Sequence, residues 1–136
     1  MKSAIPKGKP KPVEFELVGA DELLKRVGGL LSNESRLAAI TALDTGERFE
    51  MLYHFELAEK LLTLRVPLDR TSPSVETITG LIPGAVIFER EAVEMLGVEV
   101  RNHPRQINTI IADDYTGPPP LRRPDAKPPQ TQGATP

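Results

Sequence analysis

Residues 49–68 read FEMLYHFELAEKLLTLRVPL, and their alternation decides the fold. Phe49, Met51, Tyr53, Phe55 and Leu57 fall on one face of a strand, and Leu62, Leu64, Val66 and Leu68 fall on one face of the next. A turn at Ala58-Glu59 sets Phe55 opposite Leu62, Tyr53 opposite Leu64, Met51 opposite Val66 and Phe49 opposite Leu68. A slip of one residue would expose the whole set, so the pattern specifies its own register. Upstream, RLAAITAL (36–43) is also strand-like. It joins the pair through Asp44-Thr45-Gly46-Glu47, a hairpin turn in which glycine can supply a positive φ. Pro67 lacks a ladder donor and marks an edge or a bulge. Val13, Phe15 and Leu17 alternate with Glu14 and Glu16 as a further short strand with one mostly polar face.

Helices must cover the apolar face of such a meander. Asp21 stands where an N-cap belongs, and Leu23, Leu24, Val27, Leu30 and Leu31 follow at helical spacing, which predicts a helix over 22–31. Gly28 and Gly29 weaken it by about 1 kcal/mol each relative to alanine. Val75, Ile78 and Ile82 predict a short helix begun by Pro73 and ended by Pro83-Gly84. Phe88, Ala92, Met95 and Leu96 form the stripe of another helix, which Gly97 stops in the left-handed conformation. Glu89, Arg90 and Glu91 would lie in its first turn, near the positive end of the helix dipole. The fold class is therefore α+β: an antiparallel sheet of three to four strands covered by helices, with an extended proline-rich C-terminal tail.

Composition sets the boundaries. The first twelve residues carry four lysines, three prolines and no acid, and residues 118–136 carry seven prolines. Such stretches bury too little to offset the entropy of ordering. The expected organisation is a flexible basic arm at 1–12, an α+β domain at 13–103 and an extended tail at 104–136, disordered in its last part. A net charge of −2 gives no field for nucleic acid. No apolar run reaches the length of a bilayer span, and no apolar leader follows Lys2, so a cytosolic location is expected. With no cysteine and only His54 and His103, the chain lacks a thiolate nucleophile, cysteine ligands for iron–sulfur clusters and the ligands of ordinary structural zinc.

The remaining candidates for chemistry are few. Glu89 and Glu91 are two apart on a helix and diverge by about 200°, so they cannot address one bond together. Arg90 and Glu94 are four apart and can pair. His54 falls on the polar face of its strand, where exposure is expected. His103 precedes Pro104, which favours an extended backbone. In DDYTGPPPLRRPD, Tyr115 and Leu121 are apolar anchors and Arg122 and Arg123 are charges, more than a plain linker needs. Stiff proline-rich chain also loses little entropy on docking, so residues 104–123 are expected to run along a partner.

The series Glu89-Arg90-Glu91, Glu94-Met95-Leu96-Gly97-Val98 and His103-Pro104, followed by an acidic-aromatic pair, a glycine and Pro-Leu-Arg, resembles the C subunit of complex I. That is the small hydrophilic-arm subunit of respiratory NADH dehydrogenases, which also occurs in energy-converting membrane-bound hydrogenases and related reductases. Leu64-Arg65-Val66, Pro73-Ser74-Val75 and Ile82-Pro83-Gly84-Ala85 fit too, so the resemblance covers roughly residues 36–123. Departures are Glu94 where the family usually has aspartate, Arg105-Gln106-Ile107-Asn108 after His103-Pro104, and an apparent insertion at Gly117–Asp125. With the short chain, they favour a compact hydrogenase-type or ferredoxin-driven relative.

The resemblance implies a non-catalytic assembly subunit that binds no cofactor and docks on the nickel–iron-hydrogenase-like large subunit. Its partners would include an iron–sulfur small subunit, on the cytoplasmic side of the membrane, with no nucleic acid. Iron–sulfur clusters and, in the hydrogenase branch, nickel–iron would belong to those partners. It also implies that Glu89, Arg90, Glu91, Glu94, Gly97, His103, Pro104, Tyr115, Leu121, Arg122 and Arg123 serve the fold or the subunit interface. Alternatives are the C subunit of an NADH- or coenzyme-oxidising quinone reductase, a self-standing interaction adaptor and, last, a small hydrolase in which Glu91 and His103 converge.

Overall fold

The computed structural model describes residues 10–105 and 109–124. The meander forms its centre. Strands β1 (Val13–Leu17), β2 (Arg36–Asp44), β3 (Phe49–Glu56) and β4 (Leu61–Leu68) make one sheet in the order β1-β4-β3-β2. Strands β3 and β4 pair from Phe49 opposite Leu68 to Phe55 opposite Leu62, the register that the alternation requires. Phe49, Met51, Tyr53, Phe55, Leu64 and Val66 are each at most 1% exposed. Strand β2 pairs antiparallel with β3 and carries a bulge between Leu37 and Ala39.

Strand β1 makes the sheet mixed. It lies parallel to β4, Val13 opposite Leu61 and Leu17 opposite Arg65. A parallel neighbour needs a crossover, and here the crossover includes helix α1 (Leu23–Leu31). Its facing is inverted relative to the meander. Glu14 and Glu16 pair with Leu62 and Leu64 and so share the inner face, where Lys60 and Arg26 neutralise them at 2.9 and 2.6 Å. Val13, Phe15 and Leu17 face the other way, 53%, 64% and 71% exposed.

Two helical expectations are corrected. Asp21 does not cap α1; it sits within a 3-10 turn at Ala20–Glu22, closed by the Glu22 amide on the Gly19 carbonyl, and the α-helix begins at Leu23. The segment after Pro73 begins as a strand rather than a helix. Strand β5 (Ser74–Glu76) pairs in parallel with β6 (Glu99–Arg101), setting Val75 against Val100. Both valines are buried, and a β-branched side chain suits that pleated site better than a helical turn. A single helical turn survives at Ile78–Ile82, where the Ile82 amide donates to the Ile78 carbonyl.

Helix α2 (Ala85–Leu96) starts one turn before its apolar stripe and ends at Gly97, φ 77°. Glu89, Arg90 and Glu91 therefore lie in its second turn, beyond the reach of the dipole's positive end. Buried residues of both helices join the inner faces of β3 and β4 in one core. Gly28 and Gly29 approach nothing closely. Residues 109–124 turn back over the domain: the Leu121 amide donates to the Met95 carbonyl, and the Arg123 amide to Asp44 Oδ2 at 2.7 Å. Most of the expected basic arm and the end of the tail lie outside the described residues.

Gly97 joins these parts. A Cβ there would stand 3.0 Å from Pro119 Cγ, on a backbone that L side chains avoid. Gly97→Ala is expected to cost about 1–2 kcal/mol, read as a lower urea midpoint with unchanged slope; an unchanged midpoint would contradict this account of the tail.

Candidate functional site

Helix α2 distributes the charged motif over different surroundings. Glu89 points into the domain and is fully buried; it accepts from Thr77 Oγ1 at 2.6 Å and from the Ile78 amide at 2.8 Å. Arg90 is 6% exposed; its Nε donates to Glu94 Oε2 at 2.9 Å, as their spacing predicts, and its Nη1 to the Arg105 carbonyl. Glu91 is exposed and lines a groove of about 220 Å³ between α2 and β2, with Ile40, Thr41, Phe88, Met95 and Leu121 also on its walls.

Glu94 is the convergence point. Beyond Arg90, its carboxylate accepts from the amides of Thr109, Ile110 and Ile111 at 2.7–2.8 Å and from Thr109 Oγ1 at 3.0 Å. Burial pushes its pKa up, but the Ile111, Thr109 and Ile110 amides and the Arg90 guanidinium outweigh that and bring it down to about 2. Glu89 goes the opposite way. Burial raises its pKa against the Thr77 and Ile78 bonds and the influence of His103.

His103 is buried, with Nε2 3.1 Å from the Val86 carbonyl and 3.7 Å from Glu89 Oε1. Its Nδ1 lies 3.0 Å from the Arg105 amide nitrogen and 2.9 Å from the Arg105 carbonyl oxygen. His103 thus pins the strand-to-tail junction, with the exposed Pro104 beside it. Glu91 and His103 do not converge: one faces the groove towards β2, the other the Val86 carbonyl and Glu89. Glu91 and His103 therefore do not form the pair asked of a hydrolase. The tyrosine hydroxyl of Tyr53 is buried with no partner among the described residues, and burial and nearby Glu89 push its pKa up.

The tail residues close a second cluster. Tyr115 is 45% exposed and its hydroxyl donates to the Pro118 carbonyl at 2.5 Å. Leu121 stays 64% exposed at the lip of the groove. The guanidiniums of Arg122 and Arg70 each lie 4.9 Å from the ring centre of Phe49. Arg70 also bonds Asp44 and the Arg123 carbonyl. Burial raises the Asp44 pKa, but Arg70 and the Arg123 and Gly46 amides hold it below the usual range. The sequence reading missed Asp44, Arg70, Phe49 as a platform, and Thr77. Asp44 had a signal: alternation through β2 places it on the inward side, where a carboxylate needs a partner. His54, on the outer face as expected, is half-buried rather than exposed, between Thr41 Oγ1 at 3.0 Å and Thr63 Oγ1 at 2.9 Å.

Among the described residues, no three His, Asp or Glu side chains converge as a metal set, and no helix is long and apolar enough to cross a membrane. What these clusters can do is fix surfaces: two carboxylates, on α2 and at the end of β2, tie the tail to the domain. The architecture is that of a small α+β module held together by internal polar anchors.

The family described as "Respiratory-chain NADH dehydrogenase, 30 Kd subunit" matches residues 18–130, and the chain belongs to that family. It is 37% identical over 109 residues to the C subunit of NADH-quinone oxidoreductase from Moorella thermoacetica, covering 76% of this chain and 74% of that one. It is 30% identical over 108 residues to the C subunit of F(420)H(2) dehydrogenase from Methanosarcina mazei, 76% and 68% of the two chains. The C/D subunit of NADH-quinone oxidoreductase from Erwinia tasmaniensis is 30% identical over 113 residues, which are 82% of this chain but 17% of that protein. Two further NADH-quinone oxidoreductase C subunits are spanned over only 62% and 49% of their lengths. A chain of the membrane-bound sulfane sulfur reductase, an archaeal respiratory membrane complex, shares the fold at a TM-score of 0.69 and 20% identity, covering 79% of this chain and 68% of that chain.

Two measurements check the cluster. Glu94 has its folded pKa below its unfolded one, so its stabilisation is present above about pH 4.5 and lost as pH falls towards 2. Wild type should exceed Glu94→Gln by about 3 kcal/mol at pH 7, and the gap should shrink in urea titrations from pH 5 to pH 3. Tyr53→Phe removes an unpaired hydroxyl and should leave stability within about 0.5 kcal/mol of wild type or raise it; a loss of 2 kcal/mol or more would show that the hydroxyl has a partner.

Proposed function

We propose that this chain is the C subunit of the peripheral arm of a complex I-related, membrane-bound oxidoreductase, of the energy-converting hydrogenase or ferredoxin-driven reductase type. It docks on the nickel–iron-hydrogenase-like large subunit, beside an iron–sulfur small subunit, on the cytoplasmic side of the membrane. It brings no cofactor; the iron–sulfur clusters, and nickel–iron where present, sit in those partners. The observation that carries this reading is the family match across residues 18–130, which takes in the α2 helix and the tail together. The C/D relatives support the choice of partner, because in them one polypeptide bears both subunit designations. The internal use of Glu89, Arg90, Glu94 and His103 supports a shaping role over a catalytic one. A second reading, the C subunit of an NADH- or F420H2-oxidising complex, draws on the names of the Moorella and Methanosarcina relatives.

Affinity purification of the tagged chain from detergent-extracted membranes tests the proposal. The large subunit and an iron–sulfur subunit should elute with it, and elution of the chain alone would refute the reading. Assays of the purified complex for hydrogen evolution, NADH oxidation and sulfur reduction separate the two readings. Arg90→Ala leaves Glu94 without its cation in a buried site, a change that typically costs about 3–5 kcal/mol. The variant should therefore be lost from the complex and melt at lower temperature; an intact, active complex would remove Arg90 from its assigned place.

A further inference from the structure

The outer face of the sheet has no described element over it. Strand pairing places Val13, Phe15 and Leu17 of β1 there, beside Leu61 of β4, Leu52 of β3 and Leu43 of β2. Val13, Phe15, Leu17 and Leu43 are 42–71% exposed. Both helices pack on the opposite face. The inversion of β1 is the telling feature. Turned over by one residue, the strand would set its apolar side towards the helices and Glu14 and Glu16 on the open face. Instead the two glutamates lie on the helical side of the sheet, partly exposed and each with its own cation, and the apolar side lies on the open face. Large apolar side chains exposed together along one strand mark an interaction site.

The polar groups in the middle of this face are already satisfied. Thr41, His54 and Thr63 form a hydrogen-bonded row across β2, β3 and β4, and Thr63 is only 3% exposed. Covering the row strands no donor or acceptor. The charges lie at the two ends. Lys11 and Arg36 flank Glu56 at one end, and Arg48 and Arg65 flank Glu50 at the other. These two clusters hold four cations against two carboxylates, an excess of positive charge on a chain whose total is −2. Glu59, in the β3–β4 turn, lines a groove with Glu14 and Lys60 on the helical side instead.

We infer that this face docks another polypeptide of the same assembly, one presenting an apolar patch bordered by carboxylates. A second copy of this chain fits poorly, since two-fold packing would set cation-rich clusters against each other. An acid-rimmed partner meets Arg48, Arg65, Arg36 and Lys11 with opposite charge. The inference rests on the reading that the chain is a subunit, and names the surface and the partner's chemistry.

The test uses the full-length tagged chain in the complex purified from its own host. With photoreactive benzoylphenylalanine in place of Phe15, irradiation should join the chain to another subunit, at an apolar peptide flanked by Asp or Glu. An adduct between two copies of this chain, an adduct at a basic segment, or none from a complex that still contains the chain overturns the inference. Leu17→Glu should reduce retention in the complex at least tenfold while leaving the circular dichroism and Tm of the isolated chain unchanged; equal retention overturns it. Failure of the surface alone reads as wild-type and Leu17→Glu chains recovering the complex equally. Failure of the subunit reading is separate: the wild-type chain then recovers no other subunit.

Discussion

The Glu94 carboxylate ties together parts of the chain that share no secondary structure. It accepts from Arg90 one turn back on its own helix and from three successive amides of the tail. Those amides would otherwise need water or a partner strand. With the tail so held, Leu121 reaches the Met95 carbonyl and Arg122 reaches the Phe49 ring, and Arg123 meets Asp44 at the other end of the sheet. A tail expected to run along a partner over 104–123 thus folds back on its own domain over residues 109–124. Its proline content helps, since stiff chain surrenders little entropy when anchored at two points.

The neighbouring Glu89 shows how one motif can contain opposite electrostatics. Both glutamates are buried and both accept backbone amides. Glu94 has an adjacent guanidinium at 2.9 Å, whereas Glu89 has a neutral hydroxyl, one amide and a histidine ring at 3.7 Å. The balance between desolvation and stabilising partners therefore falls on different sides for the two groups. The third glutamate of the motif, Glu91, is exposed on the groove side. Three carboxylates within six residues thus serve three purposes, and none shares a site with another.

The sheet was legible in the sequence because alternation over 49–68 is strict enough to define its own register, and the end of α2 because Gly97 needs a positive φ that other residues resist. The direction of β1 was not legible: its alternation shows two faces but not which is buried, since Glu14 and Glu16 find cations only once Lys60 and Arg26 are folded beside them. The helix expected after Pro73 failed because Val75, Ile78 and Ile82 are spaced three and four apart, the helical period, while the strand takes in only Ser74–Glu76 and its deciding partner, Val100, lies far along the chain. Of the candidate site, the Arg90–Glu94 pair could be read from spacing, since four residues on a helix fix the contact. The Thr77–Glu89 and Asp44–Arg70–Arg123 contacts join distant segments, and no local pattern carries them.

A chain of this size has little core to spare, and leaving Phe15, Val13 and Leu17 outside it looks wasteful if the domain must be stable alone. The helices already cover the inner faces of β3 and β4, with Leu23, Val27 and Leu30 from α1 and Ala85, Ala92 and Leu96 from α2 buried there. The inner side of β1 is occupied by its glutamates and their cations, so apolar residues in their place would leave Arg26 and Lys60 without partners. Once that side is polar, strand geometry commits the alternate side chains to the open face. Their size is not so committed: serine or threonine would serve a solvent-exposed strand. Large apolar residues there, on an edge strand with Arg65 beside Leu17, suit a surface completed by a different protein.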